Sequence, residues 1–264
     1  MDFSNPRTSA ATDHFRRAKT TVPEHPAELG PRDTMSPFQE TQPVPVSRAQ
    51  LARIIDHTQL RPYATETDMR ELCEDAMREG FAAVSINPAW VSYCARQLSG
   101  TRVGVNACIA FPLGASTATI KVEEARDAVR NGATEIDMVI NIGALKSGYP
   151  QFVGREIAAV VKAVKGIPVK VILEMSYLSE EEKVTGCELA LQAGAAYVKT
   201  STGYGHGGAT VEDVQLIRSV VGDQMGIKAA GGIRTYYDAM AMLEAGATRI
   251  GTSAGVRILD ELPA

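Results

Sequence analysis

Four charged residues sit inside stretches that otherwise read as buried β-strand: Asp137 in EIDMVIN, Lys170 in VKVILEM, Lys199 in YVKTSTG and Lys228 in IKAAGG. The lysines recur at intervals of 29 residues, close to one strand-plus-helix unit, so the spacing predicts equivalent places on three successive strands and side chains entering one interior. A lone lysine in such a run ordinarily snorkels outward or is neutralised by a single carboxylate. Three with an aspartate are better explained by a reactive site, because each buried charge costs several kcal/mol unless it is paired.

The chemistry follows from what a lysine must lose to react. With a pKa near ~10.4, a free lysine is protonated at neutral pH and cannot attack a carbonyl. A second ammonium at ~4 Å, with an effective dielectric of ~20, contributes about 4 kcal/mol, or roughly three pKa units. One lysine can thus activate another, and Asp137 becomes the acid/base candidate that moves protons through carbinolamine and imine stages. The set predicts imine-forming carbon–carbon chemistry without choosing among the lysines.

The elements that must hold these residues repeat as helix, glycine, strand. REGFAAVSIN, RNGATEIDMVIN, QAGAAYVKTS and EAGATRIGTS each end a helix at a glycine (Gly80, Gly132, Gly194, Gly246) and enter a β-branched, apolar run. Three more strands follow Gly100, Gly166 and Gly226, and IIDHTQL (54–60) supplies the first. Helix starts are marked by the Ser179 to Glu182 capping box and by Thr210. Strict alternation with near-continuously hydrophobic strands specifies a parallel sheet covered by helices. Eight units in the α/β pattern predict a (β/α)8 TIM barrel over 48–264, a single domain. An open doubly wound sheet is the rival, disfavoured because no GxGxxG follows the first strand.

Glycine-rich stretches mark a second half of the site. AAGGIRT (229–235) ends the seventh strand and GTSAGV (251–256) the eighth, where barrel enzymes build phosphate cradles from backbone N–H groups, and Gly203, Gly205, Gly207 and Gly208 extend the series. The substrate is therefore expected to carry a terminal phosphate. Glycine at any one loop is otherwise a turn device.

Composition removes other classes. A chain of 264 residues, 45% hydrophobic and with a formal net charge of −4, fits a soluble globular protein without the basic surface that nucleic acid needs. No apolar run approaches a membrane span and no secretory signal opens the chain, so a cytoplasmic protein with no membrane partner is expected. Cys73, Cys94, Cys108 and Cys187 lack metal-ligand spacing and read as reduced packing residues; with scattered histidines they predict no metal. Residues 1–47, rich in Pro, Thr, Ser and charge, read as a disordered or loosely docked tail.

With these residues in hand, the chain resembles the deoxyribose-phosphate aldolases from about Leu51 to Gly255. The likeness rests on IDHTQL, FPLG, EIDMVINIGAL, KVILE, YVKTSTG, KAAGGIRT and GATRIGTSAGV, all in family order. It implies a cofactor-free class I lyase that reversibly cleaves 2-deoxy-D-ribose 5-phosphate to acetaldehyde and D-glyceraldehyde 3-phosphate, in deoxyribose phosphate catabolism. By that resemblance Lys199 is the imine-forming nucleophile, Lys228 the neighbour that activates it, and Asp137 the general acid/base. Lys170, Asp56, Thr200 and Ser85 take supporting positions, and Gly203, Gly231, Gly232 and Ser253 match phosphate-side ones. A homo-oligomer is compatible with the family. Alternatives are another class I phosphosugar or keto-acid aldolase, or a catalytically idle sugar-phosphate binder.

Three departures stand out. Ser85 in VSINP replaces a cysteine of many relatives, so reduced alkylation by unsaturated aldehydes is expected. The chain ends RILDELPA, where some members place a tyrosine implicated in proton transfer. Tyr204 and His206 occupy a loop where some relatives carry a lysine near the phosphate, and His206 reads as a solvated loop residue.

Overall fold

The computed structural model describes residues 47–263. The predicted tail lies outside the described residues except for Ser47, whose hydroxyl and backbone close a capping box with Gln50 at the start of the helix Arg48–Ala52.

Eight parallel strands close into a barrel: β1 (Ile55–Gln59), β2 (Ala83–Ile86), β3 (Gly104–Ile109), β4 (Glu135–Val139), β5 (Val169–Ile172), β6 (Tyr197–Lys199), β7 (Gly226–Ala230) and β8 (Arg249–Thr252). Each strand pairs with its successor, and β8 returns to β1. Closure removes the edges of this sheet, so none of the described strands is left unpaired to recruit another chain. The intervening helices begin where a side chain takes over orphan amides. Thr65, Ser179 and Thr235 form capping boxes with Asp68, Glu182 and Asp238. Gly80, at φ 74°, terminates the helix Glu66–Glu79 in the left-handed conformation that glycine adopts without a Cβ penalty.

Strand alternation separates two environments. Ile136 and Met138 flank Asp137, Val169 and Val171 flank Lys170, and Ile227 and Ala229 flank Lys228; all six join the hydrophobic core with Val153, Ile157, Val160, Val214 and Ile217 of the covering helices. The opposite face, inside the barrel, is polar instead of the usual aliphatic filling: Asp56, Ser85, Asn106, Asp137, Lys170 and Lys228 are all fully buried. Ion pairs between the non-adjacent strands β1 and β5 can form only through this interior.

Register corrects one expectation. Lys199 and Lys228 are direct neighbours across β6 and β7, but Lys170 pairs with Tyr197, and the partner of Lys199 on β5 is Ile172. Lys170 therefore sits two residues lower on its strand, level with Asp137. Equal spacing along the chain did not become equal height, because connection lengths and barrel stagger absorb the difference.

Candidate active site

The barrel interior converges on one carboxylate. Asp137 Oδ2 accepts hydrogen bonds from Lys199 Nζ and Lys228 Nζ, each at 2.8 Å, and Oδ1 accepts from Lys170 Nζ at 3.0 Å. The Lys199 and Lys228 nitrogens share one oxygen and so lie within twice that distance of each other. Lys228 has a second carboxylate, Asp56, at 2.5 Å, and Asp56 also accepts from Arg249 at 2.9 Å. Lys170 reaches Glu135 at 2.5 Å and donates to Asn106 Oδ1 at 2.8 Å. Asn106 in turn donates to Ser85 Oγ at 2.8 Å. Thr200, also buried, clips β6 to β7 by donating to the Ala230 carbonyl and accepting from its amide, both at 3.1 Å, which keeps Lys199 and Lys228 side by side.

These contacts decide the charge states. Burial alone would push the Asp137 carboxyl up, but Lys170, Lys199 and Lys228 overcome it and hold the group well below the usual carboxylate range. Asp56 is likewise lowered against its burial by Lys228, Lys170 and Arg249. Burial would make Lys228 and Lys170 give up their protons, yet Asp137 and Asp56 outweigh it and raise both. The lower network is thus a fixed set of charges.

Of the three lysines, only Lys199 lines the cavity at the C-terminal mouth of the barrel, a space of ≈ 230 Å³. The same wall carries Gly203, Gly231, Gly232 and Ser253, so the residues expected on the phosphate side open onto the cavity that holds Lys199. Gly231 and Gly232 both have positive φ, 93° and 82°, and a Cβ on Gly208 would fall 2.2 Å from the Gly231 carbonyl oxygen, so this crossing of loops requires glycine. Gly205 and Gly207 do not line the cavity. His206 is exposed, its ring against Tyr177 at 4.8 Å, in line with a loop role.

Sequence reading missed several contributors. Arg249 and Glu135 complete the interior network; Arg249 pairs in register with Lys228, so the argument that singled out charged strand residues applied to it equally. Arg61 and Arg234 join the cavity wall from the loops after β1 and β7, where exposed arginines carry no sequence signal of their own. Phe111 packs beside the site, with Lys199 Nζ 5.9 Å from its ring centre and Tyr204 edge-on at 5.5 Å.

Ser85 bears on reactivity. A thiol does lie nearby, Cys108, whose sulfur is 3.4 Å from Ser85 Oγ and 4.0 Å from Asp137 Oδ2. Burial pushes that thiol up, so it is a poor source of thiolate. Incubation with an α,β-unsaturated aldehyde is therefore expected to leave Cys108 unmodified in intact-mass and peptide-mapping measurements; an adduct on Cys108 at neutral pH would contradict this.

No group of three or more His, Cys, Asp or Glu residues arranged to hold a metal ion occurs among the described residues, and no helix among them is long and apolar enough to cross a membrane.

Comparison with known proteins agrees with this geometry. Residues 51–261 match the family described as DeoC/LacD family aldolase. A deoxyribose-phosphate aldolase of Caldanaerobacter subterraneus is 57% identical over 80% of this chain and 93% of its own length. That of Thermococcus gammatolerans is 58% identical over 80% and 95%. Among solved structures, the deoxyribose phosphate aldolase of Aeropyrum pernix, described as having a unique tetrameric structure, superposes with a TM-score of 0.77 at 36% identity, covering 81% of this chain and 91% of that one.

Proposed function

This chain belongs to the DeoC/LacD family of aldolases, and on that footing we propose that it reversibly cleaves 2-deoxy-D-ribose 5-phosphate to D-glyceraldehyde 3-phosphate and acetaldehyde through an imine on Lys199. The observation that carries the reading is the meeting of Lys199 and Lys228 at one carboxylate oxygen, with only Lys199 open to the cavity. The interior sets Lys170, Lys199, Lys228 and Arg249 against Asp56, Glu135 and Asp137. That leaves one cation more than there are carboxylates, and Lys199 is the member with a single carboxylate contact.

In the cleavage direction the amine adds to the C1 aldehyde of the open-chain sugar, and loss of water gives a cationic imine. Removal of the C3 hydroxyl proton breaks the C2–C3 bond; the electron pair moves into the iminium, leaving an enamine and releasing D-glyceraldehyde 3-phosphate. Protonation at C2 and hydrolysis then free acetaldehyde and return the amine. Asp137 is the ionised group within reach of the reacting nitrogen and shuttles its protons, while Lys228, held charged by two carboxylates, keeps a fixed positive charge beside it. The phosphate end is taken by Gly203, Gly231, Gly232 and Ser253 with the guanidiniums of Arg61 and Arg234. By analogy with the Aeropyrum pernix relative the chain self-associates, and it acts in the cytoplasm in deoxyribose phosphate breakdown.

An assay coupled to D-glyceraldehyde 3-phosphate is expected to show turnover of 2-deoxy-D-ribose 5-phosphate. Tight binding of that sugar phosphate without product would assign a binder instead, and turnover of a keto acid in its place would assign a different class I aldolase.

A further inference from the structure

Glu174 is a buried carboxylate that the chemistry above does not use. It follows β5, in KVILE, and is 1% exposed. Its backbone is left-handed, φ 57° and ψ 62°, a conformation that residues with a Cβ adopt against steric resistance. Resistance of this kind persists only where the surroundings over-determine it, and it gathers at functional sites.

The surroundings here are the loop after Lys199. Leu173 donates its amide to the Lys199 carbonyl at 3.1 Å and Met175 to the Thr200 carbonyl at 3.0 Å, so the strand pairing continues on both sides of Glu174. Between those bonds the Glu174 side chain reaches across. Its Oε2 accepts from the Thr202 amide at 3.2 Å and from the Thr202 hydroxyl, and that hydroxyl oxygen accepts from the Tyr204 amide at 3.0 Å. Gly203, at φ 85°, is the residue enclosed by this chain of bonds. Among the described residues Oε1 has no hydrogen-bond partner, and it lies beneath Gly205, where an added Cβ would come within 2.9 Å of it. Thr202, Gly203 and Tyr204 line the cavity; Glu174 does not.

Resting on the function proposed above, we propose that Glu174 is a positioning residue for the phosphate end of the substrate, clamping the 202–204 turn so that the Gly203 side of the cavity is preformed. A carboxylate spanning two donors of one residue fixes the turn in a way that a single hydrogen bond would not, and small displacements of such a cradle are costly to binding.

The test is the ratio of kcat/KM for 2-deoxy-D-ribose 5-phosphate to that for unphosphorylated 2-deoxy-D-ribose, because loss of folded protein lowers both alike. Glu174→Ala is expected to reduce the ratio by about tenfold to a hundredfold, mainly through KM. Glu174→Gln, whose amide oxygen still accepts from Thr202, restores most of it. Should Glu174→Ala fail to fold, Thr202→Val removes the bridging hydroxyl and is expected to lower the same ratio. A ratio within twofold of the wild type in these variants would overturn the inference, whereas a wild type with no preference for the phosphorylated sugar would overturn the proposed function.

Discussion

Lys199→Arg is expected to lower turnover of 2-deoxy-D-ribose 5-phosphate by at least about ten-thousand-fold, the scale on which removal of a covalent nucleophile acts. The guanidinium keeps a positive charge beside Asp137 but stays protonated, so it cannot add to a carbonyl. In the wild type, borohydride reduction in the presence of acetaldehyde is expected to add one ethyl group, located at Lys199 by peptide mapping. The variant should gain none. Preserved turnover in Lys199→Arg, or an ethyl group on Lys170 or Lys228 of the wild type, would contradict the assignment. Neither of those lysines lines the cavity, and each is held by two or more carboxylates, so the geometry makes a definite choice.

Asp137→Asn is expected to damage both stability and activity. It removes the one carboxylate shared by three buried or nearly buried lysine side chains. Breaking a buried pair leaves uncompensated charge at a cost of about 3–5 kcal/mol, and losing a positioned acid/base removes about 10²–10⁴ of rate. The pH dependence has a definite sign. Asp137 is lowered in the folded state, so its contribution is full above the unfolded carboxylate value near ~3.9 and is lost as pH falls through the lower folded value. Lys228 is raised, so its contribution is full below the unfolded value near ~10.4 and is lost as pH rises through the higher folded one. The stability gap between wild type and Asp137→Asn, measured by chemical denaturation, should therefore be flat from about pH 5 to 9. A gap that closes within that window would show that the network is not the fixed set of charges described.

Much of this was legible in the chain because it is local. Helix ends at Gly80, Gly132, Gly194 and Gly246, each with positive φ, and the Ser179 capping box depend on neighbouring residues only. Asp137, Lys170, Lys199 and Lys228 stood out because charge conflicts with its immediate apolar flanks, and all four meet in the interior as that conflict implied. Tertiary structure decided the rest. Strand alternation repeats every two residues, so the two-residue offset that lowers Lys170 leaves every side chain on its original face and no trace in the pattern. Closure of the barrel then chose which charges touch, bringing Arg249 and Asp56, 193 residues apart, to 2.9 Å and Arg61 and Arg234 to the wall of one cavity. Such contacts arise from the register of distant strands, which no local stretch encodes.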